Sequence, residues 1–140
     1  MLMQIPECIS PDLMHALMSM GHGDEIVLAD ADFPGPSHGR RIIRADGISV
    51  VTLLEAILPF FPLDRFVEKP VVTMDCSEWG DEPRSYEEFR IVLRRADRKF
   101  SDFEYLSRFE FYSRAETAYA IVMTSEPDGN VILKKGPVKA

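Results

Sequence analysis

Most of the chemistry-bearing residues of this sequence lie in one run. Ser19-Met-Gly-His-Gly-Asp-Glu-Ile-Val-Leu-Ala-Asp-Ala-Asp-Phe-Pro-Gly-Pro-Ser-His38 holds two histidines and four acids around a short apolar stretch, with glycine on both sides of His22. An imidazole, with an ordinary pKa of about 6.5, gives or takes a proton near neutral pH. A carboxylate close by accepts hydrogen bonds and can orient the ring. Proton transfer is the chemistry these residue types suit. Gly21 is expected to end a helix in the left-handed conformation and Gly23 to turn the backbone away, so that His22 projects from a tight loop. Glu25 to Asp30 reads as a short buried strand that delivers Asp30 at its C-terminal end, where α/β sheets hold ligands. On this reading His22 and Asp30 meet on one rim.

Other candidates have blander readings beside the chemical one. His38 reads as a solvated loop histidine, and His15 as a surface residue of its helix. Asp64, after a proline-bounded apolar turn, reads equally as a loop cap and as a group that reaches a site. Trp79, the only tryptophan, is either a packing anchor or an exposed indole that can stack on a sugar ring. A metal centre built from His22, Asp24, Asp30, Asp32 and His38 is a weak candidate, because the spacing matches no compact ligand motif and a strand sends alternate residues to opposite faces.

The elements that must position these groups follow from start and stop signals. Ser10-Pro11-Asp12 opens a helix whose apolar stripe is Leu13, Met14, Leu17 and Met18. Asp32 to Gly39, rich in proline and glycine, is expected to be an irregular loop. A strand over 41–44 follows, then an Asp46-Gly47 turn. Ser49 caps a helix apolar over most of its circumference, a face that must meet a core or another subunit. Pro70 to Met74 is a strand, Pro83 to Lys99 a helix, and Arg108 to Ala118 a short helix. Tyr119 to Thr124 is a β-prone run. Pro127-Asp128-Gly129-Asn130 reads as the turn of a hairpin into the last strand, Val131 to Lys134. The alternation predicts a single-domain α/β protein, a three-layer α/β/α sandwich with a mixed sheet over residues 1–140.

Bulk properties exclude several classes. The 140 residues suffice for one domain with a real core, and 46% hydrophobic with 28% charged residues fits a soluble globular protein. A net charge of −7 argues against nucleic acid, and the basic residues of 90–99 are interrupted by Asp97. No stretch approaches the roughly 18 apolar residues of a membrane span, and the N-terminus lacks a secretory pattern, so the cytoplasm is the expected compartment. Cys8 and Cys76 form no CxxC pair and are expected to be free thiols.

The pattern M-G-H-G-D-E-I-x-x-x-D-A-x-F-P closely resembles the sugar mutarotase family that contains L-fucose mutarotase and D-ribose pyranase. The resemblance continues through Ile43-Arg-Ala-Asp-Gly47, Arg108-Phe-x-Phe-Tyr-x-Arg-Ala115 and Gly129-Asn-Val-Ile-Leu-Lys-Lys-Gly136, nearly the whole chain, with block spacing closer to the fucose branch. It implies a cofactor-free aldose mutarotase with His22 as proton donor and with Asp30, Arg108, Asp128, Gly129 and Asn130 at the monosaccharide. It also implies a homo-oligomeric ring, often a decamer, in which the C-terminal region of one subunit helps complete a neighbour's site. Where the family commonly carries Tyr-Gly-Asn, this chain has Asp128-Gly129-Asn130 in a connection about two residues shorter; Tyr112 and Tyr119 are the tyrosines near enough in sequence to substitute. Two other readings stay open, a D-ribose pyranase-like activity and a non-catalytic monosaccharide-binding protein.

Overall fold

The computed structural model describes residues 1–138. Eleven α-helices and strands follow one another along them, α1 Pro11–Ser19, β1 Glu25–Ala29, α2 Gly35–His38, β2 Ile42–Ala45, α3 Val50–Ile57, β3 Val71–Met74, α4 Arg84–Ala96, β4 Glu104–Leu106, α5 Arg108–Thr117, β5 Ala120–Thr124 and β6 Val131–Lys134, with a 3-10 turn at Leu58–Phe60 after α3. The strands form one six-stranded sheet in the order β2-β5-β1-β6-β3-β4. β1, β2 and β5 run parallel, as do β3 and β4, while β6 is antiparallel to both its neighbours, β1 and β3. The mixed α/β sheet expected from the sequence is therefore observed.

Burial on both faces of the sheet makes three layers. Ile26, Leu28, Ala120, Val122, Val131 and Leu133 point into one core, together with Leu13 and Leu17 of α1, Leu53, Leu54 and Ile57 of α3, and Phe89 and Leu93 of α4. Their strand neighbours Val27, Ala29, Ile121, Met123 and Ile132 point into the other, against Phe33 and against Phe111 and Ala115 of α5. This period-two alternation, apolar in both registers, is what a strand covered on both faces requires.

Hydroxyl caps start three helices, two of them at the serines expected from the sequence. Ser10 Oγ accepts Leu13 N–H at 3.1 Å and Ser49 Oγ accepts Thr52 N–H at 3.2 Å. Ser107 and Glu110 form a reciprocal capping box at α5, the S-x-x-E signature that fixes its first turn.

Several expectations are corrected. The predicted β5–β6 hairpin does not exist, because β1 lies between the two strands. The 125–130 segment instead crosses over the end of β1, and its turn residues serve that crossing. Gly21 does not take the left-handed conformation; Gly23 does, at φ 89°. The 32–39 loop contains the one-turn helix α2, with His38 half-buried at its end, its ring 5.2 Å from that of Tyr112. Met18 is 80% exposed and outside the apolar stripe, and α4 stops at Ala96 rather than Lys99. β4 was unforeseen: with three residues, none of them fully buried, it carries almost no pattern. α3 buries its apolar face inside the chain, so it supplies no surplus surface for a partner.

Candidate active site

The loop after α1 and the segment 62–64 that leads toward β3 are both stitched to the end of β6. Gly23 N–H donates to Lys135 O at 2.8 Å, Lys135 N–H to Asp24 O at 2.9 Å, and Asp64 N–H to Lys134 O at 3.0 Å. Gly136 N–H donates to Pro62 O at 2.8 Å, and a Cβ there would sit 2.8 Å from Leu63 O and from Asp64 Cα, so only glycine permits the approach. The product is a contact between residues 42 positions apart: His22 Nε2 lies 3.1 Å from Asp64 Oδ1, which also accepts Phe66 N–H at 3.0 Å. The Phe66 ring packs beside the imidazole at 5.1 Å.

Exposure is split sharply across this pair. The Asp64 side chain is 4% exposed and that of His22 47%. A carboxylate only accepts, so Nε2 carries the hydrogen that points at Asp64, and Nδ1 is bare, facing outward with no partner among the described residues. This is a buried acid holding an open imidazole in one tautomer, the arrangement used to aim a general acid or base. Of the two readings open for Asp64, its geometry supports both at once: it caps the loop through Phe66 and orients His22.

Asp30 stands at the opposite edge of the sheet. β1 runs between it and the His22 loop, and five strand residues at about 3.3 Å each put the two roughly 17 Å apart. They share no rim within one chain, and this corrects the expected pairing: a strand carries its two ends to opposite edges however few residues separate them. The metal set of His22, Asp24, Asp30, Asp32 and His38 is split in the same way.

Asp30 is 7% exposed and already heavily engaged. Its Oδ2 accepts Gly129 N–H at 3.1 Å and Asn130 Nδ2–H at 3.1 Å, Oδ1 accepts Asp32 N–H at 3.2 Å, and its own N–H donates to Asn130 Oδ1 at 2.7 Å. Burial raises its pKa above 3.8, with these hydrogen bonds opposing the rise and the nearby Asp128 charge adding to it. Asp30 thus locks the crossing segment onto the end of β1. Gly129 has φ 135° and packs so closely that a Cβ would collide with Ser85 Oγ. Asp128 is exposed, its carbonyl accepting Ser85 Oγ–H at 2.6 Å.

Arg108, at the first position of α5, lies on the same edge as Asp30. The sheet order sets four chain ends side by side there: after β1, before β6, after β3 and after β4. Arg108 is exposed, donates from Nε to Tyr112 Oη at 3.0 Å, and holds its guanidinium over the Phe109 and Tyr112 rings at 5.5 and 5.3 Å. Tyr112 packs on Phe33, which follows Asp30 in the chain, so these groups form one connected wall. Tyr119 lies just before β5 at the far edge, beneath Arg41, and cannot stand in for a tyrosine at position 128 within its own chain.

Residues 3–138 match the RbsD / FucU transport protein family. The chain belongs to this family. Among its relatives, an L-fucose mutarotase of Actinobacillus pleuropneumoniae is 46% identical over 99% of this chain and 100% of its own. The fucose mutarotase of Mus musculus is 48% identical over 94% and 92%. A crystal structure of the fucose mutarotase of Streptococcus pneumoniae in complex with L-fucose superposes with a TM-score of 0.91 at 44% identity, covering 98% of this chain and 99% of that one. Bacillus subtilis RbsD complexed with D-ribose shares the fold at a TM-score of 0.70 and 24% identity. The site residues singled out in the sequence therefore sort into two groups, His22 with Asp64 on one edge and Asp30, Arg108 and Asp128 to Asn130 on the other.

Proposed function

We propose that this protein is an aldose mutarotase that interconverts the anomers of free L-fucose. The observation that carries the proposal is the His22–Asp64 pair, a half-open imidazole whose buried carboxylate leaves Nδ1 free, in a chain whose relatives are fucose mutarotases. Ring opening needs a proton taken from the O1 hydroxyl and one given to the ring oxygen. The C1–O5 bond breaks, C1 becomes a carbonyl, and rotation about C1–C2 lets the ring reclose on the other face with both transfers reversed. No electrons leave the sugar, so the reaction calls only for acid and base groups. In this scheme protonated His22 gives its Nδ1 proton to the ring oxygen and recovers it on closure, solvent water takes the O1 proton on opening and returns one to that oxygen on closure, and Asp64 keeps the imidazole turned and balances its charge.

The remaining groups bind. Arg108 offers a rigid set of donors to hydroxyls. Asn130 and the Gly129 backbone, held by Asp30, present the polar floor, and Asp128 accepts a hydrogen bond from a hydroxyl where a tyrosine could also donate one. A single pyranose cannot reach both edges of one sheet, so we assign the site to a subunit boundary, with His22 and Asp64 of one copy facing Arg108 and Asn130 of the next. Phe66 and Phe109, 71% and 73% exposed beside the two half-sites, supply the apolar surface for such a contact. A head-to-tail interface of this kind closes into a ring, and a decamer is the ring we assign. The unpaired cysteines Cys8 and Cys76 suit a reducing compartment, which we take to be the cytoplasm.

Saturation-transfer NMR on purified protein tests the activity. Exchange between α- and β-L-fucose should accelerate in proportion to enzyme, with D-ribose slower. Binding of L-fucose without faster exchange would replace the enzyme by a sugar-binding protein, and preference for D-ribose would move it to the pyranase reading.

A further inference from the structure

The segment 75–83 is a fixed loop with an aromatic ring held out to solvent. It leaves the end of β3, next to β6 and Asn130, and enters α4, where Ser85 bonds Asp128, so both of its ends adjoin the 128–130 turn. Its course is pinned at successive points. Asp75 N–H donates to Leu106 O at 2.8 Å, Asp75 Oδ1 accepts Ser77 N–H at 2.9 Å, and Trp79 N–H donates to Cys76 O at 2.9 Å. At its far end Arg90 grips both Glu82 oxygens at 2.7 and 3.1 Å while also bonding Tyr105 Oη and Asp102 Oδ1. A loop tied in this way would ordinarily turn its indole inward, yet Trp79 is 58% exposed. The same loop borders an open groove of about 470 Å3 lined by Asp75, Cys76, Ser77, Gly80, Asp81, Glu82 and Tyr105.

Two exposed aromatic side chains thus flank the edge that carries Asp30, Asn130 and Arg108. Phe109 has the Arg108 guanidinium over its ring. Trp79 has no aromatic ring or guanidinium stacked on it among the described residues, so its π face is open. Asp30, Asn130 and Arg108 are polar and can satisfy hydroxyls but not C–H surface. A 6-deoxy aldose such as L-fucose has ring C–H bonds and a methyl group that hydroxyl contacts leave in water. An indole is the side chain best able to cover that kind of face.

We propose that Trp79 is a substrate-binding residue of this mutarotase, the stacking platform for the apolar face of the sugar. The inference rests on the mutarotase reading and adds to it a specificity-determining group: the site favours aldoses that offer an unbroken C–H face toward the 75–83 loop. Trp79 takes no part in proton transfer, so it acts on binding rather than on the chemical step.

Because Trp79 is the only tryptophan of the chain, its fluorescence reports on this position alone. Titrating the intact protein with L-fucose should shift the emission to shorter wavelength, saturating at the sugar concentration that half-saturates anomer exchange. Trp79→Ala should raise KM about tenfold, the size of one aromatic contact, with kcat within about twofold. Trp79→Leu, which keeps bulk without a π face, should behave likewise, and Trp79→Tyr should recover most of the loss. All three should sediment as wild type does. Active variants whose KM stays within twofold of wild type, or an emission unmoved by saturating L-fucose, would overturn the stacking role and leave the mutarotase standing. A wild-type protein that neither exchanges nor binds L-fucose would overturn both.

Discussion

Asp64→Asn isolates what the buried carboxylate does for His22. The asparagine is nearly isosteric, and its Oδ1 can still accept the Phe66 N–H now bonded at 3.0 Å, so the loop keeps its cap. What changes is the contact at 3.1 Å to His22 Nε2, where a charged acceptor becomes a neutral amide that presents either an oxygen or an N–H. A hydrogen bond to a charged group contributes about 1.5–3 kcal/mol. The His22 side chain is 47% exposed, so water competes for the ring and the lower end applies. About 1.5 kcal/mol lost from the transition state is roughly a tenfold fall in exchange rate. Removing the proton-transfer group itself, His22→Ala, should cost on the order of a hundredfold or more. Since Asp64 acts only through His22, the double variant should exchange no slower than His22→Ala alone. Saturation-transfer NMR at fixed L-fucose gives all four rates. Wild-type exchange in Asp64→Asn, or a further tenfold loss on adding it to His22→Ala, would refute the orienting role.

The buried clamp at the other edge gives pH and packing tests. The folded-state pKa of Asp30 is raised by burial above 3.8, so the fold favours its neutral form; the stability it adds is present in full below about pH 4 and fades as pH rises through the raised value. Thermal unfolding of wild type and Asp30→Asn across pH 3.5 to 7 should show the variant gaining ground as pH rises, and a constant gap would mean the carboxyl titrates as it does unfolded. Gly129→Ala combines φ 135° with a collision at Ser85 Oγ; a cost of about 2–3 kcal/mol should lower the unfolding midpoint by roughly 10 °C, and an unchanged midpoint would mean that the crossing segment is loose. Phe66→Asp puts a charge on the exposed ring beside His22 and should shift the ring toward monomer in sedimentation equilibrium. A wild-type protein that is monomeric at micromolar concentration would remove the shared site altogether.

Elements whose signals are local were legible in the sequence. Ser10-Pro11 and Ser49 marked helix starts because a cap bonds residues three positions away, and β1 and β5 were legible because two-sided burial leaves an unbroken apolar run. The same locality explains the failures. Pro127-Asp128-Gly129-Asn130 has the composition of a hairpin turn, but whether β5 and β6 pair depends on β1 entering between them, about a hundred residues earlier in the chain. Ser107-x-x-Glu110 was legible and overlooked; it would have fixed α5 and, with it, β4 just before.

The site was legible as a set of residues but not as an arrangement, and a strand is the reason. His22 and Asp30 are eight positions apart, and nearness in sequence suggested nearness in space. An extended chain converts those positions into the full height of the sheet, whereas Asp64, 42 positions from His22, meets it because β6 returns antiparallel and binds both loops through Lys134 and Lys135. The antiparallel strand therefore does two jobs at once. Its end fastens the His22–Asp64 pair on one edge, and its beginning carries Asn130 into the Asp30 clamp on the other. With the roles proposed for these residues, a chain built so has a proton-transfer group with no sugar-binding wall on one side and a sugar-binding wall with no imidazole on the other. Repeating the subunit head to tail is the simplest operation that brings the two together. If assembly is what completes the site, exchange should fall with dilution below the ring's dissociation constant, more steeply than enzyme concentration itself. Strict proportionality down to concentrations where sedimentation finds only monomer would show that one chain suffices.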